Sequence, residues 1–160
     1  FPPQLFVKAY EIAAASGVSC TVHSGEFASA EVMIKAMECL PIQRIGDGVN
    51  AIYSEEAMAM VKERDITLEL CPTSNIFLGL FSSMAEHPLP KFFERGIKIS
   101  ISSDDPPFMS TTLGLEYQRV QEAYSYNDEK MNRITRMAID AAFVDATIKK
   151  ELHDKITSLS

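Results

Sequence analysis

The chain has 160 residues, and 46% of them are hydrophobic, which is enough for one ordinary domain with a buried core. Its 15 basic and 22 acidic residues give a net charge of −7. This charge argues against a nucleic-acid backbone or an anionic membrane as the main partner, because neither attracts a polyanion. A small molecule or a metal ion is therefore the expected class of ligand.

The cysteines and the ends of the sequence bear on where the protein works. Cys20, Cys39 and Cys71 form no C-x-x-C pair, and this favours a reducing cytoplasm over a disulfide framework. No apolar run is long enough to span a bilayer, and the first residues lack the pattern of a signal peptide. Because the chain has no initiator methionine, we expect it to begin inside a larger polypeptide.

Short apolar strands alternate along the chain with amphipathic helices, a pattern typical of β/α units with a parallel sheet. The strands are predicted at residues 18–23, 43–49, 66–72 and 97–103. The helices are predicted at residues 4–16, 29–40, 54–65 and 87–96, with Ser54 as the N-cap of the third. A long loop is expected after Pro72, and from Ser110 onward we expect helix to the end, with one break at residues 125–128.

Every predicted strand ends in polar or ionisable residues: His23, Asp47, the CPTSN segment at 71–75, and Asp104 with Asp105. Barrels and open α/β folds place their chemistry at this carboxyl-terminal rim. Four β/α units are half of an eight-stranded barrel. We therefore expect residues 1–160 to be a single partial domain, the second half of a (β/α)8 TIM barrel.

The acidic and imidazole groups at this rim allow two interpretations. A lone histidine such as His23 is more often structural than a ligand, Glu26 alone fits a solvated loop acid, and Asp104 and Asp105 fit turn chemistry before proline. A divalent cation would instead accept imidazole and carboxylate together, and zinc is the commonest such ion. His23 and Asp104 are only two ligands, however, and a catalytic zinc normally takes three or more.

Other catalytic signatures are absent from the sequence. It contains no G-x-S-x-G elbow, no Walker loop and no G-x-G-x-x-G after a strand. The zinc deaminases with a P-C-x-x-C motif are also excluded, because Cys71 precedes Pro72 and no second cysteine follows.

Four strand-end motifs, TVHSGE, RIGDGV, LELCPTSN and SISSDDP, resemble in order and separation the second half of the adenosine deaminase family. The resemblance covers essentially the whole chain. It implies an eight-stranded β/α barrel that binds one zinc ion at its carboxyl-terminal rim. It also implies hydrolytic deamination of a purine nucleoside, adenosine or 2′-deoxyadenosine, to inosine and ammonia.

The resemblance assigns a role to each matching position. His23 and Asp104 would be zinc ligands, and Glu26 would donate a proton to the purine ring nitrogen N1. Asp105 would hydrogen-bond N7 and, with Gly25, would contact the purine. The metal would acidify the water that attacks C6.

Two departures from the family pattern stand out. Asp47 occupies the position of a family histidine that orients the attacking hydroxide, so we expect activity to be reduced, roughly 100-fold or more. Asn50 stands where relatives usually carry arginine. The His-x-His pair of the first strand, which supplies further zinc ligands in the family, would lie upstream of Phe1, so this fragment alone could not complete the zinc site.

Three alternatives stay open at this point. The substrate could be adenine or another 6-aminopurine, because part of any ribose pocket would lie upstream. Asp47 equally fits a non-catalytic purine-binding descendant, although His23, Glu26, Asp104 and Asp105 favour an enzyme. Asp47 could also be a sequence error or an engineered change. The sequence does not indicate an oligomeric state.

Overall fold

The computed structural model describes residues 1–159, in which four strands form one parallel sheet in the order β1-β2-β3-β4. The strands are β1 (Thr21–Ser24), β2 (Arg44–Asp47), β3 (Thr67–Leu70) and β4 (Lys98–Ile101). The helices are α1 (Val7–Ala15), α2 (Ala30–Cys39), α3 (Glu55–Glu63), α4 (Pro72–Phe77), α5 (Leu89–Glu94), α6 (Pro106–Met109), α7 (Leu113–Tyr124), α8 (Asp128–Ala141) and α9 (Ala146–Leu159). Within these residues no helix is both long and apolar enough to cross a membrane.

The register of the first three strands aligns their carboxyl ends. β1 runs parallel to β2, with His23 opposite Gly46 and Ser24 opposite Asp47. β2 runs parallel to β3 in the same way, and Ile45 lies opposite Leu68, both fully buried. Aligned parallel strands place the residues that end β1 and β2 side by side. β1 is the first strand in the sheet order, and its side chain at His23 is exposed.

The alternation of strands and helices is confirmed, but each strand has only four residues, fewer than predicted. Ser54 is the N-cap of α3, as predicted, since its hydroxyl accepts a hydrogen bond from the Ala57 amide at 3.1 Å. The prediction of a long loop after Pro72 was wrong for its first residues and holds for the turns and bends that follow Phe77. Helix α4 begins at that proline, which a first helical turn tolerates because its missing N–H has no partner there.

The carboxyl-terminal helices contain a second break that the sequence prediction missed. Besides the predicted break before α8, the chain leaves the helix at residues 142–145. Asp145 Oδ1 then accepts a hydrogen bond from the Ile148 amide at 3.0 Å, which caps the start of α9. Aspartate is a favoured N-cap residue because its carboxylate accepts hydrogen bonds from the unpaired amides of a first helical turn.

The chain divides into two compact units. The first comprises Phe1–Leu70 and Pro88–Lys98, and the second comprises Cys71–His87 and the residues from Ile99 onward. In the first unit the core contains side chains that are at most 1% exposed, among them Met33, Met37, Ile45, Val61, Leu68, Phe92 and Ile97. In the second unit the fully buried apolar side chains include Ile99, Val120 and Ile134.

Candidate metal centre and active site

Three potential metal ligands of the first unit meet at the ends of β1 and β2. His23 lies in β1, Glu26 lies two residues after that strand, and Asp47 is the last residue of β2. The ligand atoms of these three side chains all lie within 4.8 Å of one another. The structure therefore brings together three of the residues selected from the sequence.

The backbone of Asp47 explains how its carboxylate reaches this cluster. In a regular strand Asp47 would point to the face opposite Gly46, because successive side chains alternate. Asp47 instead has φ 62°, in the left-handed region, which turns its side chain out of the alternation. Aspartate is among the few residues that adopt this conformation readily. The side chain is 1% exposed, so the carboxylate is held in one place by its surroundings.

The imidazole of His23 packs directly on the backbone of β2. A Cβ atom added at Gly46 would lie only 2.9 Å from Nδ1 and Cε1 of His23. Any larger residue at position 46 would therefore push the ring away from its present position. The absence of a side chain at Gly46 creates the space that the imidazole occupies.

The loop that carries Glu26 is held by Asn50. The Asn50 side-chain amide donates to the carbonyl oxygens of Glu26 at 2.8 Å and of Ala28 at 3.0 Å. Its backbone amide donates to the Gly25 carbonyl at 2.8 Å. Gly25 itself has φ 72°, and a Cβ there would lie 3.2 Å from the Gly48 backbone. Glycine at position 25 is thus required by the close approach of two loops.

The donor set of the cluster fits a first-row divalent cation. Two ligand atoms bound at about 2.0–2.2 Å from one zinc ion can lie at most about 4.4 Å apart, so small rotamer adjustments bring this cluster into range. One imidazole and two carboxylates suit zinc, iron or manganese better than a soft ion, which prefers thiolate. The contact with the Gly46 backbone keeps the imidazole of His23 in a position from which it can bind such an ion.

The two adjacent aspartates belong to the second unit. Asp104 follows β4 with φ 52°, is exposed, and accepts a hydrogen bond at 2.6 Å from the hydroxyl of Ser74. Asp105 is also exposed, and its carbonyl accepts the amides of Phe108 and Met109 at the start of α6. One aspartate is therefore oriented by a hydroxyl, and its neighbour begins a helix.

The sequence reasoning did not identify Ser74 or the groups that hold its segment. Ser74 is 1% exposed in α4, and the amide of the preceding Thr73 donates to the fully buried Glu116 carboxylate at 3.1 Å. The Thr111 hydroxyl also donates to Glu116, and Arg119 lies 3.4 Å from the same carboxylate. In the sequence, the polar CPTSN segment at 71–75 indicated that this strand end carries hydrogen-bonding groups, but it did not indicate which residues they would bond to.

The other two histidines have structural partners. His87 is 2% exposed, lies edge-on to Phe81, and its Nε2 donates to Oδ1 of Asn75 at 3.0 Å. Burial lowers the pKa of His87 to about 4, so its ring is neutral at pH 7. His153 lies 2.8 Å from Asp140 on the helices at the end of the chain.

Comparison with known proteins shows the family. The family model described as adenosine deaminase matches residues 1–159. An adenine deaminase of Rhizobium leguminosarum bv. trifolii is 40% identical over 147 residues, which are 92% of this chain and 46% of that protein. The chain thus spans about half the length of the curated relatives it matches.

Two solved structures share the fold. The crystal structure of adenine deaminase from Arthrobacter aurescens superposes with a TM-score of 0.94 at 24% identity, over 99% of this chain and 48% of that one. An amidohydrolase from Burkholderia ambifaria, solved with bound Zn, gives a TM-score of 0.82 at 26% identity, over 98% and 47% of the two chains. These matches confirm the predicted α/β half of a TIM barrel.

Proposed function

Because the chain belongs to the adenosine deaminase family, we propose that it supplies half of a hydrolytic deaminase that converts adenine to hypoxanthine and ammonia. The observation that carries the proposal is the cluster of His23, Glu26 and Asp47 at the ends of β1 and β2. From the sequence we expected adenosine as the substrate. The relatives reported above with a stated substrate are adenine deaminases, and they favour the alternative substrate, the free base.

The roles proposed for the side chains follow from their chemistry and position. A bound zinc ion would lower the pKa of a water molecule to near neutrality. His23 would hold the ion, and Asp47 would accept a hydrogen bond from the water that attacks C6 of the purine. Glu26 would give its proton to the adjacent ring nitrogen, so that the ring can accept the attacking electron pair. Asp47 would take the proton that the water loses as its oxygen bonds to C6, and would pass that proton to the amino group, which leaves as ammonia when the C6–N bond breaks. The new hydroxyl at C6 would return a proton to Glu26 and become the carbonyl of hypoxanthine.

The family resemblance assigns the remaining roles. Asp104, oriented by Ser74, would be a further metal ligand, and Asp105 would accept a hydrogen bond from the purine. Gly25 would lie against the base, where its lack of a side chain leaves room. The remaining metal ligands would come from a segment that corresponds to the other half of the relatives. The protein that contains both this chain and that segment is called the completed enzyme below.

A non-catalytic purine-binding protein is the second candidate function. Asp47 favours it, since a carboxylate cannot supply the positive charge of an imidazolium to the attacking oxygen. The retained Glu26 favours the enzyme, because binding alone does not require a proton donor.

The decisive experiment measures ammonia release from adenine and from adenosine by the zinc-loaded completed enzyme. We expect turnover of adenine, and Glu26→Gln should reduce kcat roughly 100-fold or more, as loss of a general acid does. The matched control is Glu38→Gln on the exposed face of α2, which should keep full activity. Zinc-replete protein that binds adenine without releasing ammonia would rule out the enzyme and favour the purine-binding alternative.

A further inference from the structure

We propose that Glu116 is a positioning residue of the candidate site, which holds the hydroxyl of Ser74 and the carboxylate of Asp104 at their hydrogen-bonding distance. The inference rests on the proposed function for the role of Asp104, and it assigns a task to a carboxyl group that the proposed chemistry does not use. All residues on which it depends lie in the second compact unit.

Glu116 is a charged side chain that is fully buried, at 0% exposure, in helix α7. Its carboxylate accepts hydrogen bonds from the amide of Thr73 at 3.1 Å and from the hydroxyl of Thr111. Arg119, one turn later in the same helix, completes an ion pair at 3.4 Å. Replacing a buried ion pair by packed apolar side chains is often neutral for stability. Stability alone therefore does not account for this carboxylate, and the segments that its two oxygens connect indicate what it does.

The Oε2 atom of Glu116 holds the start of helix α4. That helix begins at Pro72, and its N-cap residue, Cys71, makes no side-chain capping hydrogen bond. The amide of Thr73 lies in the first turn, where a backbone N–H has no acceptor within the helix. Glu116, which is 43 positions away in the chain, supplies that acceptor. Because Ser74 directly follows Thr73, this bond fixes the backbone from which the Ser74 hydroxyl extends.

The Oε1 atom of Glu116 holds the segment that follows Asp104. The Thr111 hydroxyl that donates to this oxygen belongs to a side chain that is 5% exposed. The amide of Thr111 donates to the carbonyl of Pro106 at 3.2 Å, which closes the segment on itself. Two successive prolines, at 106 and 107, also fix the φ angles of this backbone. A shift of Thr111 therefore moves the backbone next to Asp104.

Glu116 thus joins the two segments that carry the donor and the acceptor of one hydrogen bond, the 2.6 Å contact from Ser74 to Asp104. Arg119 supports the same connection, since its guanidinium donates to the hydroxyls of the two threonines at 2.8 and 3.1 Å. The guanidinium is partly exposed, and the ion pair with Glu116 keeps it between the two hydroxyls. Without the carboxylate the two segments can separate, and a hydrogen bond weakens as its donor and acceptor move apart.

The test is a double-mutant cycle of Ser74→Ala with Glu116→Met. Methionine is unbranched and close to glutamate in length, so it fills the buried position without offering either oxygen. The first readout is the NMR resonance of the Asp104 carboxyl carbon in the 160-residue chain, without metal or purine. We expect both single substitutions to displace this resonance in the same direction, and the double variant to show no further displacement. The matched control is Glu122→Met, which is exposed on the same helix and should leave the resonance unchanged.

The second readout is the zinc affinity of the completed enzyme, measured by competition with a chelator. Each single substitution should lower the affinity about ten-fold, the lower range for residues that orient a metal ligand. The double variant should also lose about ten-fold, because both substitutions remove the same hydrogen bond, whereas independent losses would multiply to about 100-fold. Urea denaturation of each variant checks that the folded state is the one measured.

Two results would overturn the inference: an Asp104 resonance that Glu116→Met leaves unchanged, or losses of zinc affinity that multiply in the double variant. Thr111→Val is the second variant, since it removes only the hydroxyl that binds Glu116, and it should give the same coupling with Ser74→Ala should Glu116→Met fail to fold. Because the resonance is measured without metal, this result is separate from the deaminase assay. Coupled displacement of the resonance in an enzyme that binds no zinc or releases no ammonia contradicts only the proposed function. Ammonia release with an Asp104 resonance that does not respond to Glu116→Met contradicts only this inference.

Discussion

The hydroxyl of Ser74 donates a hydrogen bond of 2.6 Å to Oδ2 of Asp104. The two residues are 30 positions apart in the chain, and both lie in the second compact unit. Ser74 is buried, whereas Asp104 is exposed, so a fixed donor orients a carboxylate that could otherwise rotate freely. The relationship makes Ser74 a positioning residue for Asp104.

We predict that Ser74→Ala lowers the zinc affinity and the kcat/KM of the completed enzyme about ten-fold each, since a hydrogen bond to a charged group contributes about 1.5–3 kcal/mol. The measurement is zinc competition with a chelator, together with steady-state kinetics on adenine. Ser82→Ala, on the exposed bend after α4, is the control. Unchanged zinc affinity in Ser74→Ala would show that Asp104 needs no help from this hydroxyl.

We predict opposite results for the same substitution at two asparagines. Asn50→Asp removes the amide that donates to the carbonyls of Glu26 and Ala28, and places a carboxylate against them. It should lower the free energy of unfolding by about 1–3 kcal/mol, the cost of leaving such groups unsatisfied. Asn127→Asp should be neutral within about 0.5 kcal/mol, because Asn127 uses its oxygen to cap α8 and aspartate caps equally well. Urea denaturation of both variants checks this. Equal effects would contradict the role given to Asn50.

We predict that Gly46→Ala displaces the imidazole of His23. The added Cβ would lie 2.9 Å from the ring, so the ring must move and the zinc affinity of the completed enzyme should fall at least about ten-fold. Gly114→Ala is the control, because a Cβ there meets nothing closer than 3.9 Å in helix α7. That variant should be more stable by up to about 1 kcal/mol. Zinc competition with a chelator measures the first effect, and thermal unfolding measures the second. Full zinc affinity in Gly46→Ala would show that this contact does not hold the ring.

We predict a loss of stability in mild acid that depends on His87. Burial lowers the pKa of this imidazole from 6.5 to about 4 in the folded chain. Below pH 6.5 the unfolded chain therefore binds a proton that the folded chain does not. The free energy of unfolding should fall by about 1.4 kcal/mol per pH unit as the pH drops towards 4, and this contribution should level off below that value.

The measurement is urea denaturation between pH 7.5 and 4. His87→Gln should remove this part of the slope, because glutamine can still donate to Asn75 but does not titrate. His153→Gln retains His87 and should retain the slope. An identical pH dependence in the parent chain and His87→Gln would contradict the assignment.

The sequence predicted the parts of this site that depend on strand periodicity. His23 and Asp47 end apolar runs, and parallel strands align their carboxyl ends, so the sequence predicted that both residues lie at the same edge of the sheet, as the register of β1 and β2 confirms. The chemical types of the residues limited the choice to a cation or turn chemistry. The order of four motifs then identified the family, which the match over residues 1–159 confirms.

The contacts that orient the site could not be predicted in the same way. The hydrogen bond from Ser74 depends on helix α4, which begins at Pro72, where the sequence predicted the end of a strand and then a loop. The position of the Asp47 carboxylate depends on a positive φ angle, which no periodicity encodes. The role of Asn50 depends on a loop that is 22 to 24 residues away in sequence. Each requires tertiary structure.

The place of β1 in the sheet has a consequence for assembly. Because β1 is the first strand in the sheet order, its outer edge can template an incoming strand, and the same strand carries the imidazole of His23. Strand addition and cation occupancy would then be thermodynamically linked. If ordering of β1 by a docked strand tightens cation binding, the cation must strengthen docking by the same factor. The bound metal would then stabilise the pairing of β1 with an added strand, and removal of the metal would weaken that pairing.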